Sequence, residues 1–193
     1  MGQSAAVKVD RGDLGETLRQ GLEAIGMFDA RPDEIGPMRE MAAALIGPGI
    51  ASEDAMASVF ARTGYGIYLV REDGRITGVV ALIMLNAAGL AAVEDDSFDP
   101  LDPNLAHVIL PGESPAAVYS WGIAAATREA AKTAIAGCWI MRAAAPYIPF
   151  FVRAATESGR RLLTEKMPFT AYPGSTSGLL WWERADELAR RAA

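Results

Sequence analysis

Cysteine and histidine are almost missing from this chain, which has 193 residues but only Cys138 and His107 of these two types. A single cysteine cannot form an internal disulfide, and one histidine excludes metal sites with several histidine ligands. No metal is therefore expected. A Ser-His-Asp or Cys-His mechanism would depend on His107 alone, which we interpret as a loop residue without a catalytic role. Cys138 lies among apolar residues and is predicted to be a small core side chain.

The start of the chain also lacks a secretory signal, because residues 1–4 contain neither a basic start nor an apolar run. Together with the single cysteine, this predicts a reducing, cytoplasmic location.

The longest stretch almost free of charge, residues 76–93, raises the question of a membrane helix, which needs about 18 apolar residues. Thr77, Gly78, Asn86 and Gly89 interrupt it, and its first half is rich in β-branched residues. We therefore expect a buried strand and no membrane partner.

Composition is that of a globular protein, with 51% hydrophobic and 22% charged residues, and the length suits one domain over residues 1–193. The net charge of −6 and the pI near 4.9 argue against nucleic acid as a partner. Residues 1–127 carry a net −10 and residues 128–193 a net +4. This asymmetry suits a cationic ligand over the first part and a phosphate-bearing ligand over the second, although solvated surfaces would give the same count.

The first 50 residues predict a helical N-terminal part. Apolar residues three or four apart predict one helix over 10–25 and a second over 32–45, with 27–32 as a break. The residues expected on the inner face of the second helix are Ile35, Met38, Met41, Ala42 and Leu45. Ser52 is expected to cap a third, short helix that ends near Thr63-Gly64.

The pattern then changes to strands. Two apolar, β-branched runs over 65–71 and 76–85 flank an Asp-Gly turn, which predicts a hairpin. Residues 94–116 are acidic and rich in proline, and predict a loop. The remaining segments are predicted as strand 116–124, helix 128–142, strand 148–154, a helix capped by Thr156 and running to Met167, strand 179–182, and a C-terminal helix from Arg184. This order predicts an α/β (α+β) fold with a mixed sheet flanked by helices.

Three segments, in order, resemble the GNAT superfamily of acyl-CoA-dependent N-acyltransferases. Residues 68–79 are similar to its second and third strands, and residues 123–134 to its fourth strand and pyrophosphate loop. Residues 155–169 resemble its last core helix and the turn that follows. The resemblance covers residues 66–183 and implies a GNAT-like, mostly antiparallel twisted sheet, with acetyl-CoA or another acyl-CoA as co-substrate.

The second segment resembles the signature Arg/Gln-x-x-Gly-x-Gly/Ala, with Arg128 at the basic position and Ala131 and Thr133 where glycines are usual. A helix N-terminus offers free N–H groups and a positive dipole end to phosphates. The resemblance implies an oxyanion-binding N–H near Ile123. The cofactor-binding residues implied are Ile123, Arg128, Glu129, Ala130, Ala131, Lys132 and Thr133. The alternative is a plain alanine-rich helix that begins near Arg128.

The catalytic groups are less well defined. Thr164 stands where the family often has a tyrosine that protonates the departing CoA thiolate, and threonine is a much weaker acid. Glu94, expected at the end of the third strand, and Tyr119, on the fourth, are the candidate catalytic residues, with Ser120 beside Tyr119. The acids that follow Glu94 are also explained by a solvated surface.

Three functions remain open. The first is acyl transfer to a small amine or amino-acid-like acceptor by direct attack on the thioester. The second is a degenerate GNAT-like module that binds CoA or regulates without efficient catalysis, and the third is an interaction domain. Trp181 and Trp182 are expected on opposite faces of a strand, so that one of them lines an acyl pocket or a homodimer contact.

Overall fold

The computed structural model describes residues 14–183, which contain one seven-stranded sheet in the order β1-β2-β3-β4-β5-β7-β6. Neighbouring strands are antiparallel except for β4 and β5, which are parallel. The predicted fold class, a mixed and mostly antiparallel sheet with helices, is confirmed. The strands are β1 Met27–Asp29, β2 Ile67–Glu72, β3 Arg75–Leu85, β4 Ala117–Ala125, β5 Phe150–Arg153, β6 Thr170–Ala171 and β7 Leu179–Trp182.

Side-chain caps start the helices where the sequence places a cap residue. Ser52, Thr127 and Thr156 each accept a hydrogen bond from the backbone N–H three residues ahead, at 3.0–3.1 Å. Gly64 ends one helix in the left-handed conformation. The helices are α1 Leu14–Glu23, α2 Ile35–Ile46, α3 Glu53–Thr63, α4 Ala87–Glu94, α5 Arg128–Ala144 and α6 Glu157–Glu165. The helix predicted from Arg184 lies outside the described residues.

The strand predicted over 76–85 is confirmed as β3, but the expectation that the charge-poor run 76–93 is buried strand throughout is wrong, because α4 follows β3 after a single residue. The Oδ1 atom of Asn86 accepts a hydrogen bond from the Gly89 N–H at 3.0 Å, which caps a new helix. Its residues are apolar on most sides, so their periodicity could not separate a helix from a buried strand.

The predicted hairpin between β2 and β3 is confirmed. Asp73 and Gly74 have φ of 51° and 75°, the conformation required by a two-residue turn that matches strand twist. β1 was not predicted: its three residues are too few for a pattern and form a strand by pairing with β2.

Helices cover both faces of the sheet. On one face, Leu22 of α1, Met141 of α5 and Leu163 of α6 share a buried core, which includes Cys138 as predicted. On the other face, α2, α3 and α4 cover two further clusters. Ile35, Met38 and Ala42 are buried there as expected, but Leu45 is 47% exposed because it turns away from the sheet at the end of α2.

None of the helices within residues 14–183 combines the length and apolar character that crossing a membrane requires.

Candidate functional site

The parallel strands β4 and β5 separate soon after they meet. Their pairing is limited to Val118 with Phe150 and Tyr119 with Phe151. Beyond this point β4 continues to Ala125, while β5 pairs on its other side with β7. The separation opens a cleft of about 280 Å³ between the two strands.

A β-bulge in β4 lies at this cleft. Ala81 of β3 is opposite Gly122, whereas the next residue, Leu82, is opposite Ser120, so Trp121 is the additional residue. Bulges reorient the backbone locally, and this one changes the direction of the N–H groups that follow it.

The directions can be followed from both ends of the strand. The N–H of Val118 donates to Pro149 O at 3.0 Å, on the β5 side, and the N–H of Ala126 donates to Thr77 O at 2.8 Å, on the β3 side. N–H directions alternate along a regular strand. In a regular strand, two N–H groups an even number of residues apart would face the same side. Those of Val118 and Ala126 face opposite sides, so the bulge between them has reversed the alternation. Counting back three residues from Ala126, whose N–H faces β3, places the N–H of Ile123 on the side of the opening.

Apolar side chains from β3 and two helices line one side of the cleft. β3 contributes Val79 and Ala81, α2 contributes Met38 and Ala42, and α3 contributes Met56.

Residues 100–101 of the long loop extend the lining, and the loop is held in place by β4: the indole N–H of Trp121 donates to Pro100 O at 2.6 Å. The side chain that the bulge adds therefore positions part of the cleft wall.

Among the residues within 14–183 that line the cleft, Arg153 is the only charged one. Its donors are directed to groups outside the opening: Nε to Ser177 Oγ at 2.8 Å, Nη1 to Phe98 O at 3.1 Å, and Nη2 to Asp96 Oδ1 at 3.1 Å. Asp96 also accepts hydrogen bonds from the 175–177 segment. The hydrogen bond from Ser177 is the largest of the effects that hold the pKa of the Asp96 carboxyl well below its usual range. This network joins β5 to two loops.

Tyr119 and Ser120 lie where the strands diverge, and both line the cleft. Tyr119 is buried, and its ring packs against Phe98 with centroids 5.0 Å apart. Burial raises the pKa of the Tyr119 phenol, an effect that nearby Arg153 partly offsets. The phenol therefore stays protonated at neutral pH and is a hydrogen-bond donor rather than a base.

Glu94 is placed differently from the expectation. It is the last residue of α4 rather than the end of β3, it is exposed, and it is not among the residues that line the cleft. The reason is the helix that Asn86 starts, which carries the chain away from the sheet before Glu94 is reached. Other acids of this loop cap local turns, as Asp99 does for the Leu101 N–H.

Apart from Ile123, the six predicted cofactor-binding residues, 128–133, form the first turns of α5. Two residues connect this helix to the end of β4. The Thr127 hydroxyl oxygen accepts a hydrogen bond from the Ala130 N–H, and Ala131 N–H already bonds within the helix to Thr127 O. The Thr127 hydroxyl also donates to Glu72 Oε1 at 3.1 Å. The free N–H groups of this helix end are therefore those of Arg128 and Glu129.

Residues 128–133 differ in how exposed and how charged their side chains are. Arg128 and Glu129 are exposed, whereas Ala130 is fully buried against the sheet. Lys132 is exposed and forms an ion pair with Glu129 at 2.7 Å. Thr133 lies more than a turn inside the helix, so only its side chain is available. Among the predicted cofactor-binding residues, only Ile123 lines the cleft itself.

Two further residues lie away from the cleft lining. Thr164 is exposed, and its hydroxyl donates to Arg160 O at 3.0 Å within α6. The side chain of His107 packs near Phe98, with ring centroids 6.5 Å apart. Within residues 14–183 no group of three or more potential ligands is arranged to bind a metal ion.

Sequence reasoning missed Gly122, Trp121 and Arg153 as cleft residues. A glycine inside an apolar strand is a signal for a bulge or a close approach, and Gly122 carried it. Arg153 gave no signal, because its place at the cleft depends on where β5 leaves β4.

No protein-family model and no curated protein matches this chain. Among solved structures, the chain is similar to the GphF GNAT-like decarboxylase in complex with isobutyryl-CoA. The TM-score is 0.48 and the sequence identity 17%, and the similarity covers 72% of this chain and 71% of that chain.

Proposed function

We propose that this protein binds an acyl-CoA in the cleft between β4 and β5 and transfers the acyl group to a small amine. One observation carries the proposal: the bulge at Trp121 turns the Ile123 N–H into an apolar opening between separated strands. An N–H in a low-dielectric site is a strong stabiliser of the oxyanion that forms when a thioester carbonyl is attacked.

The reaction needs little covalent chemistry from the protein. The amine nitrogen forms a bond to the thioester carbonyl carbon, the C–S bond breaks, and CoA leaves as a thiolate that takes up a proton. The amine gives up one proton as the amide forms. A thiol titrates near 8.5, so the thiolate is a good leaving group. The protonated phenol of Tyr119 and the hydroxyl of Ser120 are the donors available at the branch point.

The phosphates of CoA would lie outside the cleft, at the N-terminus of α5. Two residues connect this helix to β4, and its first two N–H groups, its dipole and the exposed Arg128 favour an anion. The ion pair with Glu129 lowers the positive charge that Lys132 contributes there. Arg128 is thus the main cation of the proposed phosphate site.

A second candidate is an acyl-CoA-binding module that does not catalyse transfer. Two observations favour it: no carboxylate or histidine lines the described cleft, and Thr164 is exposed, bonds within α6 and is not among the lining residues. In this case no side chain in the cleft takes the proton from a cationic amine.

The first test measures thermal unfolding with and without acetyl-CoA at millimolar concentration. A ligand that binds only the folded state at about 100 times its Kd adds about 2.7 kcal/mol, which raises Tm by about 5–10 °C for a protein of this size. Release of free CoA from acetyl-CoA is then followed with and without a panel of small amines.

Amine-dependent CoA release would support transfer. A Tm rise without release would favour the binding module. An unchanged Tm at millimolar acetyl-CoA would contradict both proposals.

Arg128→Ala is expected to weaken CoA binding about 5-fold to 10-fold, because a phosphate contact by a charged side chain contributes about 1–1.5 kcal/mol. Arg161→Ala, which removes an exposed arginine on α6, is the matched control. Binding is measured by titration calorimetry at fixed salt. Equal affinities of the two variants would show that the α5 N-terminus does not bind the phosphates.

A further inference from the structure

We infer that the cleft is built for an uncharged, apolar acyl group larger than acetyl, and that Gly122 provides the space for it. The inference rests on the proposed acyl-CoA site and names the class of acyl group that this site selects.

The space begins at Gly122 itself. This residue has no left-handed φ that would demand glycine, and a Cβ built on it meets no heavy atom within 4 Å. Gly122 is opposite Ala81 across the β3–β4 pair, and directly opposed residues project to the same face of a sheet. Ala81 belongs to the core cluster beneath α2 and α3. The missing side chain at Gly122 therefore leaves room on the face that α2 and α3 cover.

The lining continues without a charge from this point. It runs from Gly122 past Ala81 to Ala42 and Met38 of α2 and Met56 of α3. Two of these residues are alanines, which keeps the passage wide. The cleft volume of about 280 Å³ corresponds to roughly nine waters at liquid density, far more than a methyl group requires.

The charges in the cleft lining indicate which chemical class of acyl group the cleft binds. A buried ammonium or carboxylate is costly unless it is paired. No acid lines the described cleft, so a cationic group finds no partner there. The charge of Arg153 is already paired with Asp96 at 3.1 Å, and two more of its five N–H donors bond to Ser177 and Phe98, so an anionic group would have to compete with Asp96. An aliphatic group needs no such partner in the lining.

The adjacent thioester site identifies this aliphatic group as the acyl chain. The Ile123 N–H, proposed to bind the thioester carbonyl, belongs to the residue after Gly122. An acyl chain attached to that carbonyl starts beside the open space.

The test compares the affinities of acetyl-, butyryl-, hexanoyl- and succinyl-CoA by titration calorimetry. Burying one methylene strengthens binding about fourfold, so butyryl-CoA is expected to bind about 15-fold more tightly than acetyl-CoA. Succinyl-CoA has the chain length of butyryl-CoA but ends in a carboxylate, and is expected to bind no more tightly than acetyl-CoA. Tighter binding of succinyl-CoA than of butyryl-CoA would make Arg153 an anion anchor and overturn the inference.

A variant tests the role of Gly122. Gly122→Val places a β-branched side chain in open space on a strand, where it is favourable for folding. The preference for butyryl-CoA over acetyl-CoA is expected to fall from about 15-fold to near 1. Ala136→Val adds bulk on an exposed position of α5 and should keep the full preference. Gly122→Ala, which fills less of the space, should show an intermediate preference.

The possible failures are distinguishable. If none of the four thioesters binds, the proposed function is wrong, and the inference fails with it. If all four bind equally, or if Gly122→Val keeps the preference, the acyl-CoA site stands and the inference about its apolar group is wrong.

Discussion

Arg71→Met is expected to lower the free energy of unfolding by about 3 kcal/mol, because it leaves a buried carboxylate without its main partner. Arg71 holds Glu34 with two hydrogen bonds, from Nε to Oε1 at 2.9 Å and from Nη2 to Oε2 at 2.5 Å. The Glu34 side chain is only 9% exposed. Backbone and side-chain contacts from Arg31 remain in the variant and limit the loss.

The effect is expected to depend on pH. The hydrogen bonds from Arg71 are the main cause that lowers the pKa of the Glu34 carboxyl below its ordinary 4.5. A lowered folded-state pKa contributes stability above the unfolded-state pKa, and this contribution is lost as pH falls through the folded-state value. The difference between the wild-type protein and Arg71→Met should therefore be largest at neutral pH and should shrink below about pH 4.5.

Urea unfolding at pH 7 and pH 4 measures this difference. Arg160→Met is the control, because its ion pair with Glu157 has side chains 56% and 67% exposed and exposed pairs contribute less than about 1 kcal/mol. The Arg71–Glu34 ion pair is also relevant to the cleft, because Glu34 directly precedes α2, which provides Met38 and Ala42 to the cleft lining. A loss below about 1 kcal/mol, or one that is unchanged at pH 4, would contradict this account of the ion pair.

Arg142→Met is expected to lower the free energy of unfolding by about 3–5 kcal/mol. Arg142 is 7% exposed and donates to three backbone carbonyls, those of Ala145, Ile148 and Glu183. Hydrogen bonds from charged donors contribute about 1.5–3 kcal/mol each, and a buried carbonyl left without a donor costs about 1–3 kcal/mol. Methionine keeps much of the volume and removes all three hydrogen bonds.

The guanidinium also lies over two aromatic rings, 5.5 Å from the centroid of Phe150 and 5.4 Å from that of Trp182. These contacts join the end of α5 to β5 and β7, beside the point where β5 begins its pairing with β4. Arg142→Lys keeps the charge, but one ammonium cannot reproduce the planar set of donors. It is therefore expected to recover less than half of the loss.

Chemical denaturation measures both variants, with the exposed Arg161→Met as control, which is expected to change stability by less than about 0.5 kcal/mol. A change below about 1 kcal/mol for Arg142→Met would show that water replaces the guanidinium at these carbonyls.

Local signals in the sequence were sufficient for most of the secondary structure. Ser52 and Thr156, the two predicted caps, start helices because their side chains satisfy N–H groups a few residues away, and Thr127 does the same for α5. Asp73-Gly74 closes the β2–β3 hairpin because only certain residues adopt positive φ readily. The same local reasoning failed for α4, where apolar residues on most sides hid the helical period, and Glu94 was therefore expected at the end of a strand rather than at the end of a helix.

For the candidate site, the sequence correctly placed Ile123 and Tyr119 on a strand and the start of a helix at Arg128, while the roles proposed for these residues stay predictions. It could not show which of these residues share a cavity. Tyr119 was a candidate catalytic group from its strand alone, and burial at the branch point makes it a donor rather than a base. Arg153 and Asp96, 57 residues apart, meet only because a loop after α4 reaches the end of β5.

By itself, the sequence determined the caps, the turn and the alternation that define helices and strands, because these depend on contacts within a few residues. Only the tertiary structure decided that β5 leaves β4 after two paired residues, that Trp121 is the bulge, and that Gly122 faces an empty space. Those features depend on the register between strands distant in the chain. That register is set by packing of both faces of the sheet and not by any local pattern.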